Sequence, residues 1–422
     1  GASGDRAHAD DPELLPDGQR PCARARPQPG LAPASQQDYR DVMILRFHNG
    51  RVALPGGVVD GADIALADGV IAAVAQTSGG PADTIVDLGG GWLLPGFIDT
   101  QVNGGGGMLF NDRVDVESIA VIGAAHARFG TTAFLPTLIS DTPAQIAAAL
   151  AAVDAAIEAG IPGVAGIHIE GPFINEVRRG IHEAHRIRRL DTETLALLTA
   201  PRRGRVMLTL APELCDADDI RTLVAHGVIV SAGHSDATYA EAKRAIAAGL
   251  SGFTHLFNAM SPLRHREPGA VGAAFDSDCY CGLIVDDVHL HPAVVRLAVK
   301  AKGLDRIMLV TDAMPSVGTD VSEFTLQGKR IAVKDGVCIF EDGTLAGTHL
   351  DMASALRKTV ETTGLSVAEA AAMTSATPAA FLSLGASHGA IASGYRADLV
   401  WLDAALRPRE TWIGGAPVSA RE

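Results

Sequence analysis

The chain has 422 residues, 47% hydrophobic and 20% charged, and is long enough to bury large cores without covalent staples. Lys plus Arg number 35 against 49 Asp plus Glu, and the net charge of -14 argues against a nucleic-acid binder, whose footprint is basic. The 5 cysteines are odd in number and form no C-x-x-C, no apolar run reaches the roughly 18 residues of a membrane span, and no secretory signal opens the chain, so a cytoplasmic enzyme or binding protein is expected.

Residues 1–42 carry Pro, Gly, Ala, Arg and Asp without periodicity and read as a disordered leader or an expression remnant. From Met43 to about residue 92, short alternating apolar runs are broken by Asn49-Gly50, Pro55-Gly56-Gly57 and Asp68-Gly69, the signal of hairpins. The same pattern returns after about residue 386 in GAIASGYRADLVWLD and ETWIGGAPVSA. The simplest assembly is a small β-sandwich built from 43–92 and 386–422, with 93–385 inserted between its halves.

The insert alternates strand-like and helix-like segments. Eight apolar runs end at or beside a polar residue: GFIDTQ, TTAFLPT, VAGIHIE, VMLTLAP, VIVSAGH, GFTHL, GLIVDD and IMLVTD. Helical patterns such as TPAQIAAALAAVDAAIEAG and DATYAEAKRAIAAG lie between some of them. Alternation of this kind predicts an α/β protein with a parallel sheet, and eight units over about 250 residues predict a TIM-like (β/α)8 barrel. An open doubly wound sheet is the competing architecture.

In a barrel, chemistry gathers at the C-terminal ends of the strands. Glu170 ends IHIE, His234 ends VIVSAGH, and His255 lies in GFTHL, so two imidazoles and a carboxylate can meet at one mouth. Such a set suits Zn²⁺ or another divalent ion, although a lone histidine at a strand end is more often structural. Asp312 closes IMLVTD and is the candidate base, with a helix cap as its plain alternative.

GWLLPGFID, GIHIEGPFI, SAGHS, THLFNAM, REPGAVG, LVTDAM and GYRADLVWLD together resemble the amidohydrolase superfamily, and within it the N-acetylglucosamine-6-phosphate deacetylase family, over about 43–415. That resemblance implies the barrel and the two-ended β-domain. It implies Glu170, His234 and His255 as ligands of one divalent ion per subunit, with Zn²⁺ first and Fe²⁺, Mn²⁺ or Co²⁺ as alternatives. Two-metal members carry H-x-H at the end of the first strand; here Gln101 and Asn103 stand there, which favours a single ion.

The implied reaction is metal-assisted hydrolysis of the acetamide of a phosphorylated amino sugar, with Asp312 as acid/base and His182 stabilising the oxyanion. If the loop is offset, His185 takes the place of His182. Ile181, Asn258, Ala259, Asp286, His289, Leu345, Ala346 and Gly347 match the family's substrate contacts. Arg266 matches a phosphate ligand that enters from the neighbouring subunit, which implies a homodimer. N-acetylgalactosamine-6-phosphate, which differs at one hydroxyl, is an alternative substrate, and an inactive binding protein is the alternative of another class. No nucleic acid or membrane partner is expected.

Overall fold

The computed structural model describes residues 42–77 and 79–418. The expected leader, apart from Val42, lies outside them.

Strands Met43–Leu54, Gly57–Ala67, Val70–Ala75, Thr84–Asp87 and Trp92–Pro95 join Leu399–Leu402, Pro408–Ile413 and Ala416–Pro417 in one eight-stranded sheet. The two ends of the chain meet where Leu399–Leu402 pairs antiparallel with Trp92–Pro95. The sheet curls enough for rings on non-adjacent strands to meet: Phe47 and Trp412 pack edge to face at 5.6 Å. Their cluster includes Leu45, Ile64, Ile71, Leu93 and Leu399, so the small domain has its own core.

The eight apolar runs become eight parallel strands: Phe97–Val102, Thr131–Ile139, Gly166–Glu170, Arg205–Leu210, Ile229–Ala232, Gly252–Phe253, Tyr280–Leu283 and Ile307–Leu309, in that spatial order. They read as near-continuous apolar runs because helices cover them outside and the barrel core fills them inside. Helix starts carry ordinary caps. Thr142 accepts from the Gln145 amide ahead of Pro143–Glu158, and Thr238 with Glu241 forms a capping box ahead of Tyr239–Ala247.

The eighth strand meets the first mainly through the segment just beyond its end. Asp312 donates its amide to the Gln101 carbonyl at 3.0 Å, and Asn103 donates to the Ala313 carbonyl at 3.0 Å. Below that, the Asp99 carboxylate accepts from Thr311 Oγ1 at 2.5 Å, the Thr311 amide at 3.3 Å and the Gln101 amide at 3.1 Å. The fold is therefore a TIM-like barrel with a small β-domain made from both chain ends.

One element falls outside the sequence reading. Glu323–Leu326, Lys329–Lys334, Val337–Ile339 and Leu345–Thr348 form an antiparallel meander after the eighth strand. Its apolar face, with Leu326, Ile331, Cys338 and Ala346, packs on Leu109, Ile139, Ile181 and Met314. The meander thus walls one side of the barrel mouth.

Candidate active site

A cavity of about 360 Å³ opens at the C-terminal ends of the barrel strands. Glu170, the last residue of the third strand, is buried at its floor. His234 and His255 follow the fifth and sixth strands, and their Nε2 atoms lie 3.1 and 3.0 Å from Glu170 Oε1 and 3.1 Å from each other. His234, His255 and Asp312 hold positive φ angles of 48°, 32° and 52°, backbone strain of the kind that folds tolerate at working sites.

Hydrogen bonds orient the two imidazoles that flank the cavity. His234 Nδ1 lies 2.9 Å from the Arg178 carbonyl, which can only accept, so Nδ1 carries a proton and donates it. His234 Nε2 is then the nitrogen that faces Glu170 and is turned toward any cation held there. His182 is the reverse case. Its Nδ1 accepts from the Ser140 amide at 3.4 Å and meets Ser140 Oγ at 2.7 Å. Burial, with His234 alongside, holds the His182 imidazole well below its ordinary pKa, so the neutral ring presents an Nε2–H to the cavity.

Two overlapping sets could hold a cation. Glu170, His182 and His234 place one ligand atom each within 4.8 Å of one another. Glu170, His234 and His255 converge more tightly, and His182 offers a donor hydrogen where a ligand needs a lone pair. Facing imidazole nitrogens around one carboxylate oxygen suit a divalent ion, so the second set fits the group better.

Asp312 stands opposite. Its Oδ1 accepts from Asn103 Nδ2 at 2.6 Å and from Gln101 Nε2 at 3.1 Å, and Gln101 Nε2 also lies 3.1 Å from both Glu170 oxygens. Burial, reinforced by the nearby Glu170 charge, lifts the Asp312 carboxyl to about 6. Burial pushes Glu170 up as well, but the hydrogen bonds from His234 and His255 win and hold it well below the usual carboxylate range.

Of the residues singled out in the sequence, Glu170, Ile181, His182, His234, His255, Asn258, Ala259, His289, Asp312, Leu345 and Gly347 line this one cavity. Asp286 touches it through His289, whose Nδ1 lies 2.6 Å from the carboxylate. Ala346 faces away, into the core of the meander. His185 is exposed beside Glu183, and His182 is the residue that faces the cavity. Arg266 is exposed and does not line the cavity of its own chain. Asn103, which the sequence marks only as an amide in place of a first-strand ligand, also lines the wall, as do Arg178 and Thr344, which no sequence signal marks.

Residues 92–418 match the amidohydrolase family. The chain belongs to that family. An N-acetylgalactosamine-6-phosphate deacetylase of Shewanella sp. (strain ANA-3) is 42% identical over 372 residues, 86% of this chain and 93% of that protein. An N-acetylglucosamine-6-phosphate deacetylase of Haemophilus influenzae is 36% identical over 317 residues, 74% of this chain and 83% of the relative. The crystal structure of N-acetylglucosamine-6-phosphate deacetylase from Pasteurella multocida superposes with a TM-score of 0.86 at 33% identity, covering 89% of this chain and 99% of that one. The resemblance read from the motifs is borne out, and this amidohydrolase carries a Glu/His cluster able to hold a metal ion. Among the described residues no helix is long and apolar enough to cross a membrane.

Proposed function

We propose that this amidohydrolase removes the N-acetyl group of N-acetylglucosamine-6-phosphate, giving glucosamine-6-phosphate and acetate. One observation carries the reading: the Glu170–His234–His255 cluster faces Asp312 across a single cavity, in a chain 36% and 42% identical to two hexosamine-6-phosphate deacetylases. A second substrate, N-acetylgalactosamine-6-phosphate, is favoured by the name of the 42% relative.

Glu170, His234 and His255 would hold one divalent ion, Zn²⁺ first, with Fe²⁺, Mn²⁺ or Co²⁺ suited to the same donors. Gln101 and Asn103 turn N–H groups toward Glu170 and Asp312, which supports one ion rather than two. Bound there, the ion supplies a Lewis acid for the amide carbonyl and a means of making water nucleophilic near neutral pH. Asp312, oriented by Asn103, takes the proton of the attacking water and passes it to the departing amine. His182 donates its Nε2–H to the oxygen that gains charge as the carbonyl carbon turns tetrahedral.

Ile181, Asn258, Ala259, Leu345 and Gly347 form walls for the sugar, and His289, steadied by Asp286, supplies a polar contact. The phosphate is left for Arg266 of a second copy in a homodimer, whose planar fork matches two phosphate oxygens. A cytoplasmic site of action and domain limits near 92 and 386 belong to the same proposal.

Acetate release is the test, with both phosphorylated sugars and free N-acetylglucosamine, before and after chelation and Zn²⁺ return. Metal-dependent release fastest from N-acetylglucosamine-6-phosphate is expected; fastest release from the galactosamine epimer establishes the second substrate. No release from any of them by metal-loaded protein moves the function to another amide or to a binding role.

A further inference from the structure

Glu213 lies just beyond the fourth strand, half-buried, outside the cavity lining and unused by the chemistry above. Its carboxylate nevertheless gathers donors from both neighbouring loops. Oε1 accepts from Asn175 Nδ2 at 3.0 Å and from the Asp236 amide at 2.7 Å, and Oε2 accepts from Ser235 Oγ at 2.7 Å. Asn175 begins the loop that carries His182, whereas Ser235 and Asp236 directly follow His234.

Further contacts close the ring. The Asn175 amide donates to the His234 carbonyl at 2.8 Å, and Asn175 Oδ1 accepts from the Val177 amide at 2.9 Å. The Arg178 carbonyl accepts from His234 Nδ1 at 2.9 Å, and the Arg178 guanidinium pairs with Asp236 at 2.8 Å. Val177 at the tip of this loop is 80% exposed, so little packing holds the tip down. Hydrogen bonds to the strand ends must therefore hold the loop in place.

We propose that Glu213 is a positioning residue: it ties the loop bearing His182 to the strand end bearing His234, so that one carboxylate aligns a metal-ligand imidazole and the oxyanion donor together. The inference rests on the deacetylase reading for the roles of those two histidines, but the tie itself does not. Its function is geometric, not electrostatic. A glutamine can keep Asn175 and the Asp236 amide on its oxygen and donate its own N–H to Ser235 Oγ, whereas alanine leaves all three unanswered.

The experiment compares wild type, Glu213→Gln, Glu213→Ala and Ser235→Ala for three readouts: release of bound Zn²⁺ to a chromophoric chelator, trypsin cleavage after Arg178 and Arg179, and kcat and KM separately. Glu213→Ala is expected to release Zn²⁺ about 10- to 100-fold faster, the usual consequence of losing an outer contact to a ligand, and to be cut faster in the loop. Its kcat falls more than its KM rises. Glu213→Gln behaves like wild type and Ser235→Ala falls between. A merely structural role would lower the melting temperature and leave Zn²⁺ release and loop cleavage of the folded protein unchanged. If folded Glu213→Ala keeps wild-type Zn²⁺ release and loop cleavage, the proposal is overturned; if that variant does not fold, Ser235→Ala decides in the same way. Wild type that holds Zn²⁺ yet releases no acetate defeats the deacetylase reading alone, since the loop and metal readouts still report on the tie.

Discussion

Asn103 donates from Nδ2 to Oδ1 of Asp312 across 2.6 Å, which aims the carboxylate into the cavity from the far side of Glu170. Asp312→Asn removes the proton acceptor and sets an amide against the Asn103 amide. Turnover should fall by about 10²- to 10⁴-fold, the worth of a positioned general base, while bound metal and sugar affinity persist. Steady-state kinetics with metal analysis checks this, and near-wild-type turnover would remove Asp312 from the role.

The pH profile follows from the same carboxyl. A base must be ionised, so kcat/KM should fall as pH drops through the Asp312 pKa, raised to about 6 by burial and by the Glu170 charge. A cation on Glu170 offsets that charge, so the acid limb of the loaded enzyme lies at or below this pH. A limb well above it would point to another group.

His182 and His255 compete for the third ligand position, and metal content separates them. His182→Ala should keep its ion and lose about 10²- to 10³-fold in kcat, as expected for a lost oxyanion donor. His255→Ala should lose the ion itself. The reverse pattern would make Glu170, His182 and His234 the ligand set.

The barrel could be read before folding because each strand is an apolar run, and at four of the eight the polar residue at or just beyond its end is delivered to the mouth. Glu170, His234, His255 and Asp312 all stand at such run ends. The meander was equally written in the chain: Gln327-Gly328 and Asp335-Gly336 take positive φ at both positions, the geometry of tight hairpin turns. It was overlooked because barrel periodicity does not anticipate a sheet inserted after the eighth strand. Glu213, and the bond from Asn103 to Asp312, were illegible for another reason. Their partners lie on other strands, and no local pattern encodes a contact made only on closure.

Gly347 is a position where a side chain has no room. Its φ is 64°, and an added Cβ would stand 2.5 Å from Met314 Cε and 2.8 Å from the Asp312 carbonyl oxygen. Gly347→Ala should cost about 1–3 kcal/mol for a left-handed non-glycine residue, read by chemical denaturation. It should also raise KM, because Met314 and Gly347 share the cavity wall. Unchanged stability and KM would show that the wall yields freely.

Asp99 ties stability to pH at the barrel seam. Burial lifts its carboxyl to about 7, against about 3.9 in an unfolded chain. Between those values the folded state binds the extra proton, so unfolding free energy decreases as pH rises, by up to about 1.4 kcal/mol per unit. The contribution is fully present below about pH 4 and gone above about pH 7. Asp99→Asn should remove that component of the slope in denaturation series across this range, and an unchanged slope would mean that Asp99 stays ionised throughout.

Arg266 is exposed on its own chain and absent from its own cavity wall, so the proposed phosphate contact requires a second copy. Arg266→Ala should raise KM for the phosphorylated sugar by more than tenfold, about the loss expected for a charge-assisted contact, and leave free N-acetylglucosamine nearly unaffected. Mixing gives a sharper test. Arg266→Ala chains keep Asp312, and Asp312→Asn chains keep Arg266, so a mixed dimer assembles one site with both groups intact. Assayed with substrate well below KM, where each variant alone is nearly inactive, the two proteins should therefore regain activity after they are unfolded and refolded together, up to about half the wild-type activity per mixed dimer if its two sites act independently. Refolded mixtures no more active than the separate proteins would place the phosphate contact within a single chain.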